Sequence, residues 1–144
     1  MKLVIGLDGQ SSGQKALDFA KSVAKQTENC ELIVVYVVEW SPFSFQTAEE
    51  NARRHKRREE EIALAEERIV NPAVASLTEA GLPARGVVRH GDVADTIDQV
   101  ALSEGASQII VARSSAGGLT SRLFGSSTAH LVMNAHVPVT VVAQ

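Results

Sequence analysis

Apolar and polar positions alternate along this chain in two different rhythms. Runs of β-favouring apolar residues occur at 3–7, 32–38, 86–90, 108–112 and 137–142. The first two lack helical periodicity, which suits strands covered on both faces. Between the runs the spacing changes. From 12 to 27, Ala16, Leu17, Ala20, Val23 and Ala24 fall at helical spacing opposite Lys15, Lys21 and Lys25, an amphipathic helix for one face of a sheet. From about 46 to 80 the chain is charged at first, then carries Ile62, Ala65, Ile69, Ala73, Leu77 and Ala80 on one stripe. This predicts a long helix bent or broken at Asn71-Pro72, because proline removes a donor and clashes with the preceding turn. Gly81-Leu82-Pro83 closes it. After Gly91, Asp92 is placed to cap a helix whose buried stripe is Val93, Ile97, Val100 and Ala101, with Asp95 near the positive end of the helix dipole. A short helix over 126–135 precedes the last run. Five strands alternating with four helices predict an α/β fold: an open, mostly parallel sheet with helices on both faces. In such sheets ligands sit beyond the carboxyl ends of the strands.

Length and charge narrow the function. The 144 residues fit one domain, 1–144, able to bury roughly two thirds of its unfolded surface. A formal charge of −3 disfavours a general nucleic-acid or anionic-membrane binder. Cys30 is the single cysteine, so no internal disulfide or cysteine metal cluster can form within one chain. The first apolar run is too short for a signal segment, and nowhere do about 18 apolar residues run together. A cytoplasmic protein is expected.

The candidate chemistry concentrates at strand ends. Asp8 follows the first strand, where a carboxylate can bond a nucleobase or ribose edge, or simply cap the first helix and stabilise the turn. The stretch from Ala112 through Arg113-Ser114-Ser115-Ala116-Gly117-Gly118 to Gly125-Ser126-Ser127 empties a strand into small residues and restarts as a helix, which is how a phosphate pocket is built. Arg113 and Arg122 bracket the loop as phosphate-pairing or solvated cations. The basic run Arg53-Arg54-His55-Lys56-Arg57-Arg58 is followed by Glu59-Glu60-Glu61, and helical spacing joins Arg57 and Arg58 to Glu61, so a salt-laced solvent face is expected rather than a nucleic-acid patch. His55, His90, His130 and His136 lack metal-ligand spacing, so no metal is expected. No G-x-S-x-G elbow, Walker lysine or early G-x-G-x-x-G occurs. Trp40 could stack on a base or pack beneath a loop. Segments 41–50 and 114–121 are expected to be the most mobile.

Taken in order, the Val4-to-Gly9 opening with Ser11 and Ser12, the strand ending Tyr36-Val37-Val38-Glu39, the Gly91-Asp92-Val93-Ala94-Asp95-Thr96-Ile97 turn and helix, the Gly125-Ser126 step and the Val137-Pro138-Val139-Thr140-Val141-Val142 ending resemble the universal stress protein family over nearly the whole chain. The resemblance implies a five-stranded sheet of order 3-2-1-4-5, the adenine nucleotide alpha hydrolase-like fold, and a homodimer joined through the last strand, with a regulatory protein partner still to be identified. It also implies binding of ATP or another adenine nucleotide, with Mg as a companion ion. Asp8 and Val37 then match adenosine-holding positions, and Gly125 and Ser126 match phosphate-holding ones, with Ser127 beside them. Gly9, Arg113, Gly117, Gly118 and Arg122 form a wider candidate set. The family's G-x-x-G, nine residues, G-[ST] signature appears here as Ala112-Arg113-Ser114-Ser115, nine residues, then Gly125-Ser126, so the spacing is kept and both leading glycines are replaced. Two readings compete: a stress-response module that binds an adenine nucleotide, and a protein-interaction module with a degenerate pocket. An enzyme, at most a weak ATPase, lacks a supporting motif, since neither an S-G-G-x-D-S loop nor an H-x-G-H element is present.

Overall fold

The computed structural model describes residues 1–39, 47–113 and 126–143. Its elements run β1 (Lys2–Leu7), α1 (Gly13–Lys25), β2 (Glu31–Glu39), α2 (Ala48–Ala65), a π-helical turn (Glu66–Val70), α3 (Asn71–Glu79), β3 (Ala84–Gly91), α4 (Val93–Glu104), β4 (Gln108–Ala112), α5 (Ser126–Asn134) and β5 (Val139–Val142). The strands form one parallel sheet of order β3-β2-β1-β4-β5. Trp40, most of 41–50 and all of 114–121 lie outside the described residues, as do the mobility expectations placed on them.

The central strands are apolar throughout because both faces are covered. Leu3, Ile5, Leu32, Val34 and Ile110 pack beneath α1 and α3, while Val4, Ile33, Val35, Ile109 and Val111 pack beneath α4 and α5. Alternate residues of one strand thus feed two separate cores. Gly6 permits the second core to close, since a Cβ there would lie 2.9 Å from Ile97 Cδ1 and 3.0 Å from Val111 Cγ1.

The proline acts earlier than the sequence pattern predicts. The helix is not broken at Asn71-Pro72. Pro72 sits in the first turn of α3, and the irregularity precedes it as a π turn in which Asn71 N–H donates to Glu66 O, five residues back. Because Pro72 has no N–H and its ring crowds the carbonyl of the preceding turn, the helix widens locally instead of ending. The widened turn lays Val70 directly over Gly86, where a side chain on β3 would collide with it. A second difference lies at β5, which begins at Val139 rather than 137, because Pro138 contributes its carbonyl to Ile109 N–H at 2.8 Å before the ladder starts.

α2 opens with a capping box, Thr47 accepting from Glu50 N–H at 3.1 Å and Glu50 accepting in return from Thr47 N–H at 3.4 Å. Its exposed side-chain pairs are the ion pair Glu49–Arg53 and the contact of His55 with Glu59 at 2.9 Å, not the pairs starting from Arg57 and Arg58 that spacing alone predicts. Arg58 is half-buried.

Candidate functional site

Three elements end around one hollow. β1 stops at Leu7, and Asp8 then folds the chain back: its Oδ1 accepts from Gln10 N–H at 2.9 Å and its Oδ2 from the buried Ser12 hydroxyl at 3.3 Å. Ser12 occupies the cap position of α1 without making a side-chain capping bond, so Asp8 secures the turn rather than the helix terminus. Gly9 takes φ +78, a left-handed conformation that glycine enters freely. β2 reaches further, to Glu39, and β4 ends at Ala112.

Beyond these ends lies a cavity of about 490 Å³. Its apolar walls include Val37 from β2, Ile97 from α4, Val111 from β4 and Leu131 from α5. Its polar rim carries the carboxylates of Asp8 and Glu39 on one side and the hydroxyls of Ser126, Ser127 and Thr128, the first turn of α5, on another. A helix start beside hydroxyl donors favours an anion, whereas the carboxylates favour hydroxyl or amine donors. The arrangement therefore suits a ligand with an apolar body, a hydroxylated middle and an anionic end.

The tertiary structure brings Asp8, Val37, Ala112, Ser126 and Ser127 to this one cavity, although they span the whole chain. Gly9 lines a smaller hollow of about 260 Å³ between α1, the π turn and α3 instead. Arg113 extends the sheet by donating its N–H to Val142 O at 2.8 Å. Ser115, Gly117, Gly118, Arg122, Gly125 and Trp40 lie outside the described residues. Gln10, Glu39, Ala94 and Thr128 also line the cavity without having been singled out. Ala94 lies on the buried face of α4, outside the stripe read from the sequence, and Thr128 follows the Ser-Ser pair with no motif of its own. Glu39 alone had a signal, being two residues beyond Val37 and therefore on the same face of β2.

Ala112 carries no backbone conflict. Among the described residues the one non-glycine with positive φ is Asn29, so position 112 does not demand glycine. The Ala112 methyl packs against the core under α1 and α3, the face opposite α5.

Histidines join the C-terminal elements to α4. His130 Nε2 meets Asp95 Oδ1 at 3.3 Å, and His136 bonds Asp98 twice, through its backbone N–H at 2.9 Å and Nδ1 at 2.6 Å. Asp92, within 4.8 Å of this first pair, is occupied in capping α4 by accepting from Asp95 N–H at 3.0 Å. These exposed groups serve as a cap and as interelement bonds.

No curated protein matches the chain significantly. Solved structures share the fold: a universal stress protein, UspA, from Lactobacillus plantarum is 18% identical with a TM-score of 0.82, covering 99% of this chain and 97% of that one. A universal stress protein in complex with cAMP is 21% identical with a TM-score of 0.69, covering 99% and 96%. A family member from Arabidopsis thaliana with AMP bound is 17% identical with a TM-score of 0.65, covering 100% and 92%. The family model described as "Universal stress protein family" matches residues 1–143. Sheet order, strand-end cavity and a family match over almost every residue agree, and the chain belongs to the universal stress protein family.

Proposed function

We propose that this chain is a homodimeric cytoplasmic stress-response module that binds an adenine nucleotide beyond the carboxyl ends of β1 and β4. The observation that carries the reading is the convergence of Asp8, Val37, Ser126 and Ser127 on one cavity with an apolar wall and a helix start. The purine lies against Val37, Ile97 and Val111; the ribose hydroxyls donate to Asp8, which has acceptor capacity left beyond its two turn bonds; and the phosphate meets the first turn of α5. Structural relatives described with cAMP and AMP support an adenine nucleotide as the ligand. Ala112 is compatible with this pose, since its methyl points to the other core. With ATP, a Mg ion would offset the negative charge of the phosphates at the start of α5.

Isothermal titration with adenosine, AMP, cAMP, ADP and ATP, with and without Mg, tests the reading. Wild type should bind AMP more tightly than adenosine, and Ser126→Ala, Ser127→Ala together should erase that preference while leaving adenosine binding intact. A null titration with every ligand would favour the interaction-module reading instead.

A further inference from the structure

The hollow between α1, the π turn and α3 differs in charge from the cavity at the strand ends. Around the strand-end cavity the charged side chains, among the described residues, are the carboxylates of Asp8 and Glu39. Around the smaller hollow the charged side chain, among the described residues, is the guanidinium of Arg68. Arg68 belongs to the π turn, is exposed, and has no ion-pair partner among the described residues. Neutral hydrogen-bonding side chains stand around it: Gln10 and Ser11 from the turn after β1, Gln14 from α1 and Ser76 from α3. Leu17, Ile69 and Pro72 supply the apolar wall. A Cβ on Gly9 would lie 3.3 Å from Ile69 Cδ1, so glycine, at φ +78, lets the turn after β1 close against the π turn and shape the recess.

We propose that this hollow is a second binding site, taking a small phosphate monoester whose phosphate pairs with Arg68 and whose apolar part rests on Leu17, Ile69 and Pro72. An exposed guanidinium on a convex surface is an ordinary solvated cation. This one stands at a recess that also offers donors from three other segments. Lys21 Nζ donates to Ser76 Oγ at 2.7 Å, which leaves the Ser76 proton for a ligand and brings a second positive charge close to the hollow. Asp18 accepts from Gln14 Nε2 at 2.9 Å and so holds that amide in place, but no carboxylate is among the described lining residues. The start of α1 is not the anchor, since Gly13, Gln14 and Lys15 N–H already donate to the carbonyls of Gln10, Ser11 and Ser12. A carboxylate would engage little beyond the fork of Arg68, whereas the three outer oxygens of a phosphate can meet the guanidinium and the hydroxyls of Ser11 and Ser76 together. At about 260 Å³ the hollow is smaller than the pockets of about 300–1,000 Å³ that take drug-sized ligands, so it suits a molecule smaller than a nucleotide.

Because the two hollows share Leu7, Gln10 and Gly13 as walls, the test must separate them. Amide shifts of the full chain, followed by NMR during titration with phenyl phosphate, inorganic phosphate and benzoate, do so. Phenyl phosphate should bind most tightly of the three and move amides at 9–14 and 68–76 while leaving 126–128 unmoved. Arg68→Gln should weaken it about tenfold, the loss of one charged hydrogen-bonding partner. Ser11→Asp, an exposed change that the start of α1 tolerates, should weaken it at least as much by setting a carboxylate against the phosphate. Ser126→Ala, Ser127→Ala together should leave it unchanged, which keeps this site distinct from the nucleotide reading. No response to phenyl phosphate, shifts centred on 126–128, tighter binding of benzoate, or full affinity in Arg68→Gln would each overturn the proposal.

Discussion

Asp8 has two tasks that a pair of substitutions separates. Its carboxylate holds the turn after β1 through Gln10 N–H and the Ser12 hydroxyl, and it also faces the cavity. Asp8→Asn keeps an acceptor for Gln10 N–H, whereas Asp8→Ala keeps none. We expect Asp8→Ala to lower stability by about 1 kcal/mol in denaturant unfolding and to weaken adenine-nucleotide binding in calorimetry. Asp8→Asn should recover most of the stability but not the affinity, because a ribose hydroxyl bonds a charged acceptor more strongly than a neutral one. Binding unchanged in both variants would confine Asp8 to the turn. The sequence alone allowed Asp8 both a turn role and a site role at once. The structure shows its carboxylate bonding its own turn and Asp8 lining the hollow beyond the sheet, because a residue at a strand end reaches both.

Among the elements, the amino end of the sheet is held by charge where the carboxyl end is left open. Arg85 on β3 bonds Glu31 on β2 at 2.9 Å and also Glu104 at the end of α4, which Lys2 on β1 approaches at 3.4 Å. Desolvation pushes Glu104 up, but the hydrogen bond and charge of Arg85, with those of Lys2, outweigh it and hold the carboxyl below its ordinary value. A depressed carboxyl stabilises the fold fully above the ordinary Glu range and loses that contribution as pH falls through its folded value. Glu104→Gln should therefore flatten the acid limb of a stability-against-pH curve measured by urea unfolding and leave its neutral limb parallel to wild type. An unchanged acid limb would show that Glu104 does not drive acid unfolding. Helix existence and type were legible in the apolar stripes, yet the π turn was not. Periodicity marks which face is buried, whereas the site where a proline's missing bond is absorbed depends on what the widened turn can pack against, here Gly86.

For the whole molecule the open question is the edge at β5. Pro138 and Val142 carbonyls accept from Ile109 and Arg113 on β4, so ladder alternation turns the amides of Val139 and Val141 away from the sheet. Their side chains pack on the core under α4 and α5, so lysine there would damage the body as well as the edge. Val141→Pro removes only an outward amide, a substitution edge strands accommodate. It should convert the proposed homodimer to monomer by light scattering while preserving the circular dichroism spectrum; a dimer that persists would place the contact elsewhere. The sequence by itself determined the alternation of strands and helices, the cap at Asp92 and the turn at Asp8, because burial on one or two faces and local turn chemistry are written in neighbouring residues. Through family resemblance it also supplied the sheet order. Only the tertiary structure decided that Ala94, Glu39 and Thr128 share the cavity and that His130 and His136 bond α4. Those meetings join residues some 30 or more positions apart, and it is the right-handed crossovers of a parallel sheet, not any local pattern, that bring such residues together.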